Sequence, residues 1–101
     1  MKAKNLGKQG RGFWRRVQAD FAMEDAHDLE RLTMAARCLD DIAEAEQQIE
    51  KDGPFVRDRY GQIKEHPAGK VIREHRIIFC RIVRELGLDL DIPESRPPRE
   101  Y

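Results

Sequence analysis

The stretch from Gly53 to Leu88 constrains the fold of this chain most, because it contains a tight turn, a proline-started helix and a glycine stop in that order. Two short apolar runs flank the turn. Asp58 opens it, and an aspartate there can accept a hydrogen bond from the backbone two residues on. Gly61 closes it and can adopt the positive φ that such turns often need. We therefore predict a short β-hairpin.

A long helix is predicted to follow the hairpin, from Pro67 to Leu86. Proline suits the first helical position, because its missing N–H would have no partner there anyway. His66 is held extended by that proline and can cap the helix. Gly87 provides a left-handed stop. Residues at helical spacing form an apolar stripe that a buried face requires: Val71, Ile72, His75, Ile78, Phe79, Ile82, Val83 and Leu86. Within it, we expect His75 to be a hydrogen-bonded core histidine rather than a metal ligand.

An earlier helix is predicted to begin between Asp20 and Asp25 and to run to Lys51, where Gly53 and Pro54 end it. Its early acidic residues suit the positive end of the helix dipole. Steps of three and four residues give it a heptad-like seam: Leu32, Ala35, Leu39, Ile42, Glu46 and Ile49. The predicted fold class is therefore mainly α, with two long antiparallel helices joined by a short β-hairpin.

Charge is segregated along the chain although the net charge is zero. Residues 1–16 carry six basic side chains and no acidic one. Residues 17–52 carry eleven acidic side chains against three basic ones, and residues 53–85 carry eight basic against four acidic. The neutral total thus hides a basic N-terminal segment, an acidic helix and a basic helix.

Three regions are predicted from these patterns. Residues 1–19 are expected to form a flexible basic arm, because they are rich in lysine and glycine. Residues 20–92 are expected to form a helical hairpin and oligomerisation domain, and residues 93–101 a proline-rich tail. Phe13 and Trp14 interrupt the arm, either as a hydrophobic anchor on a neighbouring helix or subunit, or as aromatic rings that assist nucleic-acid binding by stacking.

No combination of residues indicates catalysis. The three histidines fall on different elements, Ser95 has no base beside it, and there is no glycine-rich phosphate-binding motif. Cys38 and Cys80 match no zinc spacing. We therefore expect a protein that is not an enzyme and uses no cofactor and no metal. The sequence also lacks a run of about 20 apolar residues and an apolar signal region, which favours a cytoplasmic protein without a membrane partner.

Two basic surfaces are candidates for binding DNA: the arm and the outer face of the second helix. The latter could also be a solvated face attracted to the acidic helix of a neighbouring copy. Ile77 lies on this basic side and favours a subunit contact. The predicted DNA-binding residues are Lys2, Lys4, Lys8, Arg11, Arg15, Arg16, Lys70, Arg73 and Arg84. The predicted oligomer interface consists of Leu32, Leu39, Ile42, Ile49 and Ile77.

Several short motifs between Asp25 and Leu90 carry a resemblance to a known family. In order they are Gly53, Asp58-Arg59-Tyr60-Gly61, His66-Pro67 and Arg84-Glu85-Leu86-Gly87-Leu88. Together they resemble the pattern of the phage terminase small-subunit family. The resemblance implies the non-catalytic component of a viral genome-packaging machine, encoded by a phage or prophage and acting in the host cytoplasm. It implies a ring-shaped homo-oligomer that binds viral double-stranded DNA and regulates a large ATPase–nuclease subunit, which the C-terminal tail engages.

The sequence departs from that family at its N-terminus. Many small terminases carry an N-terminal helix-turn-helix, and residues 1–20 are too short for one, so general rather than site-specific DNA affinity is expected. The alternative function is a small helical adaptor or antitoxin-like regulator that binds a protein partner and no DNA.

Overall fold

The structure is a computed structural model that describes residues 5–88. These residues form three helices and a two-stranded antiparallel sheet, which confirms the mainly helical class. The elements in chain order are α1 (Lys8–Phe21), α2 (Ala26–Asp52), β1 (Phe55–Arg57), β2 (Ile63–Glu65) and α3 (Pro67–Glu85). The predicted tail, residues 93–101, lies outside the described residues.

Helix α2 begins and ends where its capping residues require. The Asp25 carboxylate accepts hydrogen bonds from the backbone N–H groups of His27 and Asp28, at 2.9 and 3.3 Å. These groups have no partner within the helix, so an aspartate cap stabilises this end. Gly53 ends the helix with a φ of 86°. The helix begins and ends one residue beyond the predicted bounds, at Ala26 and Asp52.

The hairpin has the predicted turn. Asp58 Oδ1 accepts from the backbone N–H groups of Tyr60 and Gln62, at 2.8 and 2.9 Å. Gly61 takes a φ of 79°, which residues with a Cβ rarely adopt. In the strand register, Phe55 lies opposite Glu65.

His66 fastens the start of α3 to the end of α2. Its Nδ1 accepts a 3.0 Å hydrogen bond from the backbone N–H of Ala68, which confirms the predicted cap. Because Nδ1 is the acceptor, Nε2 carries the hydrogen and donates it to Asp52 at 2.9 Å. This second bond satisfies a buried ring and joins the two helices beneath the hairpin. At the other end of α3, Gly87 has the predicted positive φ, and the Leu88 N–H donates to the Val83 carbonyl.

The core shows that α2 and α3 are antiparallel. The first half of α2 packs against the second half of α3, where Leu32 and Phe79 belong to one cluster. Farther along α2, Ile42 shares a second cluster with Ile72 from the first half of α3. Ile78 is 38% exposed, so the predicted apolar stripe is not buried along its whole width.

The predicted flexible arm is wrong for residues 8–19, which belong to α1 (Lys8–Phe21). Phe13 and Val17 are buried in the first core cluster, and Phe13 meets Phe79 edge to face with ring centroids 5.1 Å apart. Trp14 packs against the same cluster. The anchor interpretation of these aromatics therefore holds. Helix α1 is stable because one apolar face of it is buried against the core, and the lysine- and glycine-rich composition gives no sign of this.

Asp40 and two glycines explain how α1 docks on α2. The Asp40 carboxylate accepts from the backbone N–H groups of Gly7 and Gly10, at 2.6 and 2.8 Å, and so caps α1 from a neighbouring helix. A Cβ on Gly10 would lie 2.6 Å from the Ala36 carbonyl oxygen and closer still to Asp40. Gly10 thus permits a close helix crossing and does not make this segment flexible.

Candidate nucleic-acid interface

Helix α1 presents a row of basic side chains, which we call the α1 stripe: Lys8, Arg11 and Arg15. Their spacing of three and then four residues places them on one face of the helix. That face points away from the core, because Phe13 and Val17 occupy the opposite side, and all three basic side chains are exposed. Docking of α1 therefore fixes the direction in which the stripe faces.

The α1 stripe has no acidic partner among residues 5–88. None of its three side chains forms a salt bridge with a described residue. The first turn of α1 also contains no acidic residue. Arg16 is exposed on the same helix, beside the stripe. Lys2 and Lys4, the other predicted DNA-binding residues of the arm, lie outside the described residues.

The basic residues predicted on α3 are placed differently. Arg73 donates two hydrogen bonds to the Glu65 carboxylate, at 2.6 and 2.8 Å. These hydrogen bonds, with the charge of Arg73, hold the pKa of Glu65 below its ordinary value of 4.5. Lys70 lies 3.8 Å from Glu74. Of the three predicted residues on α3, Arg84 has no ion pair in the described part of the chain.

The structure corrects part of the predicted oligomer interface. Leu32 and Ile42 are buried within the chain's own core and offer no surface to a partner. Leu39 and Ile49 are half-buried and pack against the two internal clusters. Ile77 is 61% exposed on the outer side of α3, so its role as a subunit contact stays a prediction. The heptad-like seam joins helices within one chain because α3 supplies its partner.

The described residues show no group suited to holding a metal ion. His75 is hydrogen-bonded as expected, because Nδ1 lies 2.8 Å from the Val71 carbonyl and Nε2 lies 3.3 Å from the Asp41 carboxylate. It is half-buried, however, and not the core residue that was predicted. Burial, assisted by the charge of Asp41, raises the pKa of the Cys38 thiol above its ordinary value of 9.0. Cys80 is exposed. None of the helices within residues 5–88 combines the length and hydropathy that a membrane span requires.

A comparison with protein-family models decides the family. The model described as phage terminase, small subunit matches residues 10–96. The chain belongs to the phage terminase small-subunit family. This family is generally the non-catalytic component of phage genome packaging. The match begins inside α1, so it includes most of the helix that replaces the predicted arm. Comparisons with curated proteins and with solved structures found no match.

One signal in the sequence could have revealed α1. Gly10, Phe13 and Val17 follow one another at spacings of three and four, as the buried face of a helix does. The part played by Asp40 had no comparable signal, because it lies about thirty residues away from the backbone groups that it caps.

Proposed function

We propose that this chain is the DNA-binding and regulatory component of a phage genome-packaging machine. In this role it forms a ring-shaped homo-oligomer, binds viral double-stranded DNA and acts with a large ATPase–nuclease subunit in the host cytoplasm. Membership of the terminase small-subunit family supports the packaging role.

The α1 stripe is the observation that carries the proposed DNA contact. Its three cations point outward from a folded helix and have no acidic partner among residues 5–88. Arg73 and Lys70 on α3 already lie beside carboxylates. A cation without a partner can neutralise a phosphate without first giving up an ion pair. We therefore assign the main DNA contact to α1 rather than to α3.

Neutralising the α1 stripe tests this assignment. Changing Lys8, Arg11 and Arg15 to Gln leaves the buried face of α1 intact. The affinity for a DNA duplex, measured by fluorescence anisotropy at several salt concentrations, should fall. The slope of log K against log salt should lose about 0.9 for each phosphate contact removed. The matched control changes Lys70, Arg73 and Arg84 to Gln and should affect the slope less.

The outcomes separate the alternatives. If the α1 variant keeps both its affinity and its salt slope while the α3 variant loses them, α3 is the DNA site. If the unmodified protein has no affinity for DNA at low salt, the adaptor or antitoxin-like alternative replaces the proposal. Deletion of residues 1–16 is unsuitable as a test, because it removes Phe13 from the core and Gly10 from its contact with Asp40.

Self-association is proposed to involve Ile77 on the outer face of α3. An exposed isoleucine among basic side chains suits a subunit contact better than a solvated surface. The change Ile77→Asp should leave the circular dichroism spectrum unchanged and lower the mass measured by light scattering. A monomeric unmodified protein at tens of micromolar would contradict the proposed ring.

The C-terminal tail is proposed to engage the large subunit. A chain that ends at Ile92 should assemble normally and retain less large subunit in a pull-down assay. Equal retention by the shortened and full-length chains would refute this assignment.

A further inference from the structure

The β-hairpin exposes an apolar face. Phe55 is 65% exposed and Ile63 is 67% exposed. Phe55 pairs with Glu65 and Arg57 pairs with Ile63. Successive residues of a strand point to opposite faces, so these four side chains share one face of the sheet. A hairpin of two short strands has little stability of its own, and two exposed apolar side chains on one face of it mark a candidate binding surface.

The hairpin is also basic at its surface, because both of its acidic residues are already engaged. Asp58 accepts two backbone hydrogen bonds within the turn, and Glu65 accepts two from Arg73. Three basic side chains of the hairpin remain without an acidic partner among the described residues: Arg57, Arg59 and Lys64. Arg59 stacks over the Tyr60 ring at the tip, with its guanidinium carbon 5.3 Å from the ring centre.

A groove between α2 and α3 has the complementary character. Its volume is about 310 Å³, which suits a large apolar side chain, and Ala45, Ala68 and Val71 contribute apolar surface to it. Two exposed acidic residues, Asp41 and Glu44, also line it. Asp41 faces His75, whereas Glu44 has no ion pair within residues 5–88. The groove therefore offers apolar surface beside acidic groups, and the hairpin offers exposed apolar side chains beside arginines.

We propose that the hairpin of one copy docks in the α2–α3 groove of a second copy. Phe55 and Ile63 cover the apolar surface of the groove, and the hairpin arginines pair with Asp41 and Glu44. Charge complementarity between two surfaces of the same chain identifies the occupant as another copy. The chain's own hairpin does not fill the groove, because its apolar face stays exposed.

The contact is heterologous, since it joins two different surfaces, and repetition of such a contact closes a ring or extends a filament. The inference rests on the self-association in the proposed function and identifies a further contact for it. It concerns the hairpin and the groove, whereas the proposed Ile77 contact lies on the outer side of α3.

Disulfide trapping tests the contact directly. Ile63→Cys on the hairpin and Gln48→Cys in the groove are introduced together, with Cys80→Ser to remove the exposed thiol. Gln48 lines the groove and is exposed. Mild oxidation should give dimers and higher multimers on a non-reducing gel. The two matched single-cysteine variants should remain mostly monomeric on the same gel.

Charge reversal provides an independent test. Arg59→Glu and Glu44→Arg should each raise the dissociation constant for self-association by about tenfold, because each places like charges together. Both changes in one chain should restore assembly to near the unmodified level. Arg31→Glu, an exposed position on α2 away from the groove, serves as the control. Circular dichroism should show that every variant remains helical.

Three results would overturn the inference. Normal assembly of both single reversals without disulfide multimers would refute the hairpin contact and leave the proposed function standing. A monomeric unmodified protein would refute the self-association on which both depend. Loss of DNA affinity by Arg59→Glu with unchanged assembly would make the hairpin a nucleic-acid contact instead.

Discussion

Alanine at Gly10 and alanine at Gly12 should have opposite effects on stability, although both residues belong to α1. Both changes replace a helical glycine, which by itself should stabilise the helix by about 0.5–1 kcal/mol. A Cβ on Gly12 meets no atom within 4 Å, so Gly12→Ala should realise that gain. A Cβ on Gly10 would press against the Ala36 carbonyl and the Asp40 carboxylate.

The cost at Gly10 can be estimated from these contacts. Overpacking of this kind costs about 1–3 kcal/mol. Displacement of α1 would also weaken the Asp40 hydrogen bonds, each worth about 1.5–3 kcal/mol as bonds to a charged group. After subtraction of the helical gain, Gly10→Ala should lower the free energy of unfolding by about 2 kcal/mol. The two variants should therefore differ by about 3 kcal/mol.

Urea denaturation at one fixed protein concentration measures this difference. With a slope near 1 kcal/mol per molar urea, the midpoint should fall by about 2 M for Gly10→Ala and rise by about 0.5–1 M for Gly12→Ala. Trypsin should also cleave the Gly10→Ala variant faster at Lys8 and Arg11, because α1 detaches more often. A Gly10→Ala variant as stable as Gly12→Ala would refute the close crossing and the Asp40 cap.

Three further results are expected. Arg73 lowers the pKa of Glu65, so the ionised carboxylate stabilises the fold at pH values above its unfolded pKa. This stabilisation is lost as the pH falls through the lowered pKa. Glu65→Gln should therefore lose less stability than the unmodified protein on acidification. Ala22 has a left-handed φ of 47°, so Ala22→Gly should raise the free energy of unfolding by about 0.5–1 kcal/mol in urea titrations. A maleimide should label Cys80 in the native protein and Cys38 only after denaturation, as counted by mass spectrometry, because Cys38 is buried with a raised pKa.

The hairpin and α3 could be predicted because their determinants are local. Asp58 and Gly61 fix the turn through hydrogen bonds and backbone angles within a few residues. His66 and Gly87 mark the two ends of α3 in the same way. These residues act on their immediate neighbours, so the order of residue types is enough to locate the elements.

Features that depend on distant residues could not be read in this way. Gly10 is consistent with a flexible segment until Asp40 and Ala36 are placed beside it. Leu32 and Ile42 were predicted as interface residues, but both are buried within the chain. The spacing of apolar residues cannot show whether the helix they pack against belongs to the same chain or to another copy. Arg73 lies on the outer face of α3, as the helical spacing predicts, but its pairing with Glu65 depends on the way β2 approaches α3. Its predicted role in DNA binding stays a prediction.

The Asp40 cap changes the thermodynamics expected of the proposed DNA complex. A flexible arm would fold as it binds, and calorimetry would then show a large negative heat-capacity change and an ordering penalty. Helix α1 is already held on α2, so Lys8, Arg11 and Arg15 enter the complex with their spacing set. Binding should therefore have a small heat-capacity change and draw mainly on the entropy of released counterions.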